Sequence, residues 1–234
     1  MSQAPEPAVP APSPSQIRED VDVPVLTFET ETDVILLGYL TAWQHDRGLF
    51  RLWEVAGTAH GDIYQLLVGM TDPGPAAADT AYYPPTAAPI PGIIVCGTPV
   101  NAGPQHYVVS AAVAQLDSWV RTGQPPHRAR RLKVKGDAFV LDRHGNVRGG
   151  IRSPQLKAPI ATLSGLGQTG STFCGLFGTT VPFDAATLQS LYPTHDKYVR
   201  AISRATKRAV RRGFLLPVDA DAIVAAAEAS GVGG

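Results

Sequence analysis

Four side chains carry the clearest chemistry in this chain: Glu29, Glu31 and Asp33, which crowd the end of a β-branched run, and His60, which follows a second apolar run. A carboxylate that accepts the Nδ1 proton of an imidazole fixes its tautomer and stabilises the imidazolium formed when Nε2 takes a proton from a nucleophile. Ligands of open α/β sheets gather at the carboxyl ends of strands, so two such strand ends side by side would bring acid and base together. The spacing also allows a plainer reading, a surface histidine with neighbouring acids facing water.

The elements that must position these groups are legible. Val21 to Phe28 is continuously apolar enough for a buried parallel strand, and Leu49 to Gly57 reads as a second strand ending at Gly57-Thr58-Ala59-His60-Gly61-Asp62. Asp62 is placed to cap a short helix through Leu67. Residues 72–91 are proline-rich and aperiodic and form a surface excursion. Gln105 to Arg121 carries Val109, Val113, Leu116 and Val120 at helical spacing after Pro104. Arg131 to Leu141, the turn Asp142-Arg143-His144-Gly145-Asn146 and VRGGIRSP suggest a hairpin. The segment 162–183 reads as a packed Gly/Thr/Ser-rich loop. Helices are expected over 184–191, 194–212 with a stop at Gly213, and 219–229.

Composition narrows the function classes. Twenty Lys plus Arg balance twenty Asp plus Glu, which gives no electrostatic footprint for nucleic acid. Gly 23 and Pro 21 with 7% aromatics imply many turns. Residues 1–16 read as a disordered Pro/Ala-rich lead, neither signal peptide nor anchor, and the length and hydrophobic content suit one domain or two small ones. No apolar run is long enough to span a bilayer. These features suit the cytoplasm, or a periplasmic or secreted setting if a leader lies upstream. Cys96 and Cys174 sit in Gly-rich loops and are either a single bridge, which would mean an oxidising compartment, or two free thiols. His106, His127, His144 and His195 lack metal-ligand spacing, and no cofactor is expected. Arg148 and Arg152 either position the hairpin against the core or lie near a substrate carboxylate. Arg200, Arg204, Lys207, Arg208, Arg211 and Arg212 are read as a solvated basic face, and Trp43, Trp53 and Trp119 as packing residues.

The strings VPVLTFETETDV, FRLWEVAGTAHGD, CGTPVNAGPQHYVVSAAVAQLDSWVRTGQPP, DRHGNVRGGIRSP, FCGLFGTTVPFD and LYPTHDKYVRAISRATKRAVRRGFLLPVDADAIVAAAEAS resemble, in order, the C-terminal half of the alpha/beta-hydrolase domain-containing family. The resemblance runs from about Ile17 to Val232. It implies a partial α/β-hydrolase sheet with C-terminal helical and hairpin elaborations, Asp33 as the triad acid with Glu31 as fallback, and His60 as the triad base. In that family the serine precedes the acid on a G-x-S-x-G elbow. Here only Ser2, Ser13 and Ser15 precede Asp33, no G-x-S-x-G occurs in the chain, and Ser164 and Ser171 lack the flanking glycines and the position.

The resemblance therefore implies a fragment without the nucleophile-bearing half, supplying the acid and histidine of a serine-type carboxylic ester hydrolase. The alternative is a non-catalytic binding or assembly module on the same scaffold. A third reading makes Cys96 or Cys174 the nucleophile. The implied partners are a small-molecule ester and, at the exposed sheet edge, a second copy or a companion chain, with no nucleic acid and no membrane.

Overall fold

The computed structural model describes residues 15–68, 85–103 and 105–234. Most of the Pro/Ala-rich lead, with Ser2 and Ser13, most of the proline-rich excursion, and Pro104 lie outside the described residues. Among the described residues the architecture is mixed α/β, with three two-stranded sheets and several helices.

Strand β1 (Val25–Glu29) pairs in parallel with β2 (Phe50–Glu54), from Val25 opposite Phe50 to Glu29 opposite Glu54. Parallel register puts both carboxyl ends at one edge. β2 is buried along its whole length, whereas β1 is half-buried throughout. The expected burial of Val21 to Phe28 on both faces is thus corrected. The strand begins only after Pro24, which has no N–H to give a ladder, and among the described strands β1 pairs with β2 alone. Trp53, Val55, Val108, Ala112, Ile151 and Phe214 form one cluster around β2. Val34, Ala56, Leu132, Val147, Leu156 and Leu163 form another.

Thr30 caps the short helix α1 (Glu31–Ile35), and Asp62 caps α2 (Ile63–Leu67), each through a reciprocal capping box. Helix α3 (Gln105–Thr122) buries Tyr107, Val108, Ala111, Ala112 and Trp119, while Val113 and Val120 are exposed. The hairpin region contains two turns. Strands β3 (Val134–Lys135) and β4 (Ala138–Phe139) close over Gly136, and Leu141 bridges Val147 across the expected Asp142 turn. After α4 (Pro154–Lys157) comes a departure from the expected loop: β5 (Ala161–Ser164) pairs antiparallel with β6 (Thr179–Pro182), leaving a 3-10 segment at Thr172–Phe177 between them.

The C-terminal third is helical as read. Asp184 caps α5 (Ala185–Leu191), Thr194 caps α6 (His195–Arg211), and Gly213, at φ +68°, ends the run. α7 (Pro217–Glu228) starts at its proline and packs on α6 through Tyr198, Ile202, Ile223 and Ala227. Trp53 and Trp119 are fully buried, and the Arg131 guanidinium lies over the Trp43 ring. Among the described residues, no helix is long and apolar enough to cross a membrane.

Cys96 and Cys174 form a disulfide across a separation of 78 residues, which decides between the two thiol readings. It ties the 172–177 segment to the strip that carries Val100 and Asn101. Closing a loop of this length is worth roughly 4 kcal/mol in the chain-entropy picture. Cys96→Ser/Cys174→Ser is expected to lower the unfolding free energy by about that amount in urea titrations, with no change if the bridge is absent in solution.

Candidate acid–base site

The site is built where β1 and β2 end. Thr30 leaves β1 and turns the chain into α1: its hydroxyl accepts from the Asp33 N–H (3.3 Å), and its own N–H donates to Asp33 Oδ2 (2.7 Å). The Thr30 hydroxyl also donates to Asp33 Oδ2 (2.6 Å). The cap thereby fixes one carboxylate oxygen and leaves the other free. That second oxygen, Oδ1, accepts from His60 Nδ1 at 2.7 Å. The Asp33 side chain is 14% exposed and that of His60 52%. With Nδ1 committed to the acid, Nε2 carries the lone pair and can take a proton.

His60 is held through its backbone as well. Its N–H donates to the Thr32 hydroxyl (3.2 Å), which in turn donates to the Gly165 carbonyl (2.7 Å). The loop from Gly57 to Gly61 is then pinned from three sides. Asn101 Nδ2 donates to the carbonyls of Gly57 (3.2 Å) and Ser164 (2.9 Å). The Gly61 N–H donates to Leu176 (2.9 Å). Gly57 turns at φ +73°, and a Cβ there would sit 2.7 Å from Leu156, so glycine is required on both conformational and steric grounds.

Glu31, the fallback acid, has a different task in the structure. It is fully buried, and its two oxygens accept the N–H groups of Gly57 (2.6 Å) and Gly165 (2.8 Å). No hydrogen bond joins it to His60 among those of the described residues. Burial pushes its carboxyl up to about 7, against the pull of Gly57, Gly165, Ser164 and Arg152. Ser164 faces this carboxylate, and Ser171 caps the 3-10 segment beside Cys174, so neither meets His60 through the bonds it makes. Both cysteines are consumed by the bridge, which removes the thiol-nucleophile reading.

Glu29 faces Asp33 and Glu54 across the strand ends, and burial first, then those two charges, push it up to about 8. Asp62 is buried with Oδ2 unpartnered among the described residues, and desolvation pushes it up to about 7. These carboxyls keep their protons in the folded state where the unfolded chain has lost them. Their contribution to stability is therefore present on the acid side and disappears as pH rises from the ordinary carboxylate range through 7 and 8. Thermal melts are expected to give a higher Tm near about pH 5 than near about pH 8.5; the opposite order would contradict this assignment of buried acids.

The structure places Asp33 and His60 in contact, and the sequence reading missed Thr30, Thr32 and Asn101. The Thr30-Glu31-Thr32-Asp33 string is a capping-box pattern and was a readable signal for the first. Nothing local marks Asn101, whose partners lie on other segments.

A family model described as an alpha/beta hydrolase domain matches residues 1–225. No curated protein and no solved structure matches the chain. The extent of the family match overturns part of the sequence reading. The resemblance read from Ile17 onward implied a C-terminal half without its nucleophile-bearing half, and hence a fragment supplying only an acid and a histidine to a serine-type ester hydrolase. The match takes in residue 1 and the Pro/Ala-rich lead rather than starting near Ile17, so the reading of a C-terminal half whose role is limited to supplying an acid and a histidine is overturned. With that correction, the chain belongs to the alpha/beta hydrolase domain family.

Proposed function

We propose that the protein hydrolyses carboxylic esters with Asp33 and His60 as its proton-transfer pair. The observation that carries this reading is the 2.7 Å bond from His60 Nδ1 to Asp33 at the shared end of two parallel strands, together with a half-exposed ring. On this reading β1 and β2 are neighbouring strands of a hydrolase sheet, and the hairpin and C-terminal helices are elaborations of it.

In the proposed reaction, His60 Nε2 takes the proton of an attacking hydroxyl as its oxygen bonds to the acyl carbon. Asp33 stabilises the imidazolium so formed. The proton then passes to the departing alkoxide as the ester C–O bond breaks. The products are an alcohol and an acyl group transferred to the attacking oxygen; where that oxygen is water's, the second product is the carboxylic acid. Asp33 is able to play its part because Thr30 occupies its other oxygen, which prevents the carboxylate from rotating away.

The test is turnover of short-chain p-nitrophenyl esters by the purified protein and its His60→Ala form. Saturable hydrolysis that is lost in the variant supports the proposal, and equal rates in the two proteins contradict it.

A further inference from the structure

The basic face of α6 is solvent-exposed at Arg200, Arg204, Lys207, Arg208, Arg211 and Arg212, as read, but it divides between two hollows. Arg204, Arg208 and Arg212, each one helical turn apart, line a cavity of about 470 Å³ that Arg130, Arg152 and Lys157 enter from other segments. Lys207 and Arg211 line a different hollow, against α7, and Arg200 pairs with Asp196.

No Asp or Glu lines the cavity among the described residues. Arg152 is answered by Asp142 at 2.6 Å, but the other five cations form no ion pair among the described residues. Like charges gathered without a counter-charge repel one another, and an anion seated among them relieves that repulsion. The Lys157 ammonium registers the crowding: desolvation, then the charges of Arg152, Arg208, Arg130 and Arg212, pull its pKa down. A second, independent observation is Ser153. It lines the same cavity, is 3% exposed, and its hydroxyl has no hydrogen-bond partner among the described residues. Buried hydroxyls are ordinarily satisfied.

We propose that this cavity binds a small molecule through a phosphoryl group of at least two negative charges, a di- or polyphosphate by preference. Guanidinium forks match the oxygens of phosphate in pairs. A monocarboxylate would answer one of five unpaired cations, whereas a diphosphate answers several, and the volume falls in the range of small-molecule sites. The Ser153 hydroxyl is closed off at the cavity wall and donates to a phosphoryl oxygen by turning about its Cα–Cβ bond. Neither Asp33 nor His60 lines the cavity, so the site stands independently of the ester-hydrolase reading.

Isothermal titration with inorganic pyrophosphate at low salt tests the proposal, with circular dichroism to confirm that each variant is folded. The expected result is saturable one-to-one binding, weakened at least about ten-fold in Arg204→Gln/Arg208→Gln and weakened in Ser153→Ala. Lys207→Gln/Arg211→Gln, which removes the same charge from the same helix, is expected to bind as the unaltered protein does. A parallel arm uses phosphatidylcholine vesicles containing phosphatidic acid. Vesicle binding alone, lost in Arg204→Gln/Arg208→Gln, supports the same phosphoryl chemistry with a lipid headgroup as its source. Binding of neither probe, or equal weakening by the two double variants, overturns the proposal.

Discussion

Asp33→Asn is expected to reduce ester turnover by roughly a hundred- to ten-thousand-fold, and His60→Ala by at least as much. The two substitutions fail for different reasons. Without the imidazole there is no base at the site. In the Asp33→Asn protein the ring remains, but the new amide can present its N–H₂ to Nδ1 and stabilise the wrong tautomer, leaving the proton on Nε2 where the lone pair is needed. Because Asp33 also closes the Thr30 cap, its replacement is expected to cost some stability, on the order of 1 kcal/mol as for other helix caps. Activity and stability are therefore measured on the same preparations. A stability loss with turnover intact would make Asp33 a capping residue and nothing more.

Glu31→Ala is expected to produce the largest stability loss of any single substitution near the site. Two buried N–H groups, of Gly57 and Gly165, lose their acceptor together. Each unsatisfied buried donor costs about 1 to 3 kcal/mol, which sums to about 2 to 6 kcal/mol. Glu31→Gln is expected to fall between, since its amide oxygen can serve one of the two donors while its N–H₂ faces the other. The Gly165 backbone packs so closely here that a Cβ added to it would lie 2.5 Å from the Thr58 carbonyl and 2.6 Å from the Glu31 Cβ. Urea titrations read the effect directly. A Glu31→Ala protein within about 0.5 kcal/mol of the parent would show that the carboxylate does not hold these segments together.

The parts of the fold that were legible are those whose determinants are local. Asp62, Asp184 and Thr194 cap their helices as their residue types dictate, and Gly213 ends α6 because the left-handed backbone there suits glycine. Partnerships across long separations were not legible. Glu31 looked like a second catalytic acid because its distant partner, the Gly165 amide, lies just beyond the end of β5, far along the chain. The β5–β6 pair was hidden among Gly and Thr residues that also suit loops, and its register depends on a pairing that no short window contains. The cysteines could be resolved only when their loops were seen to meet. The basic face of α6 divides between two hollows according to what packs beside each turn, which the helical period alone does not reveal. The Asp33–His60 pair was accessible because two apolar runs ending in chemistry-bearing residues form parallel strands with their carboxyl ends adjacent.

Rescue by added imidazole separates a base at His60 from a histidine that only supports the loop. Hydrolysis of p-nitrophenyl acetate is followed in the parent protein and in His60→Ala across a range of imidazole concentrations, with the imidazole-catalysed background subtracted. The variant is expected to lose turnover and to regain part of it in proportion to the free-base imidazole present, at a saturable site. A His60→Ala protein that turns over ester at the parent rate without imidazole would contradict it.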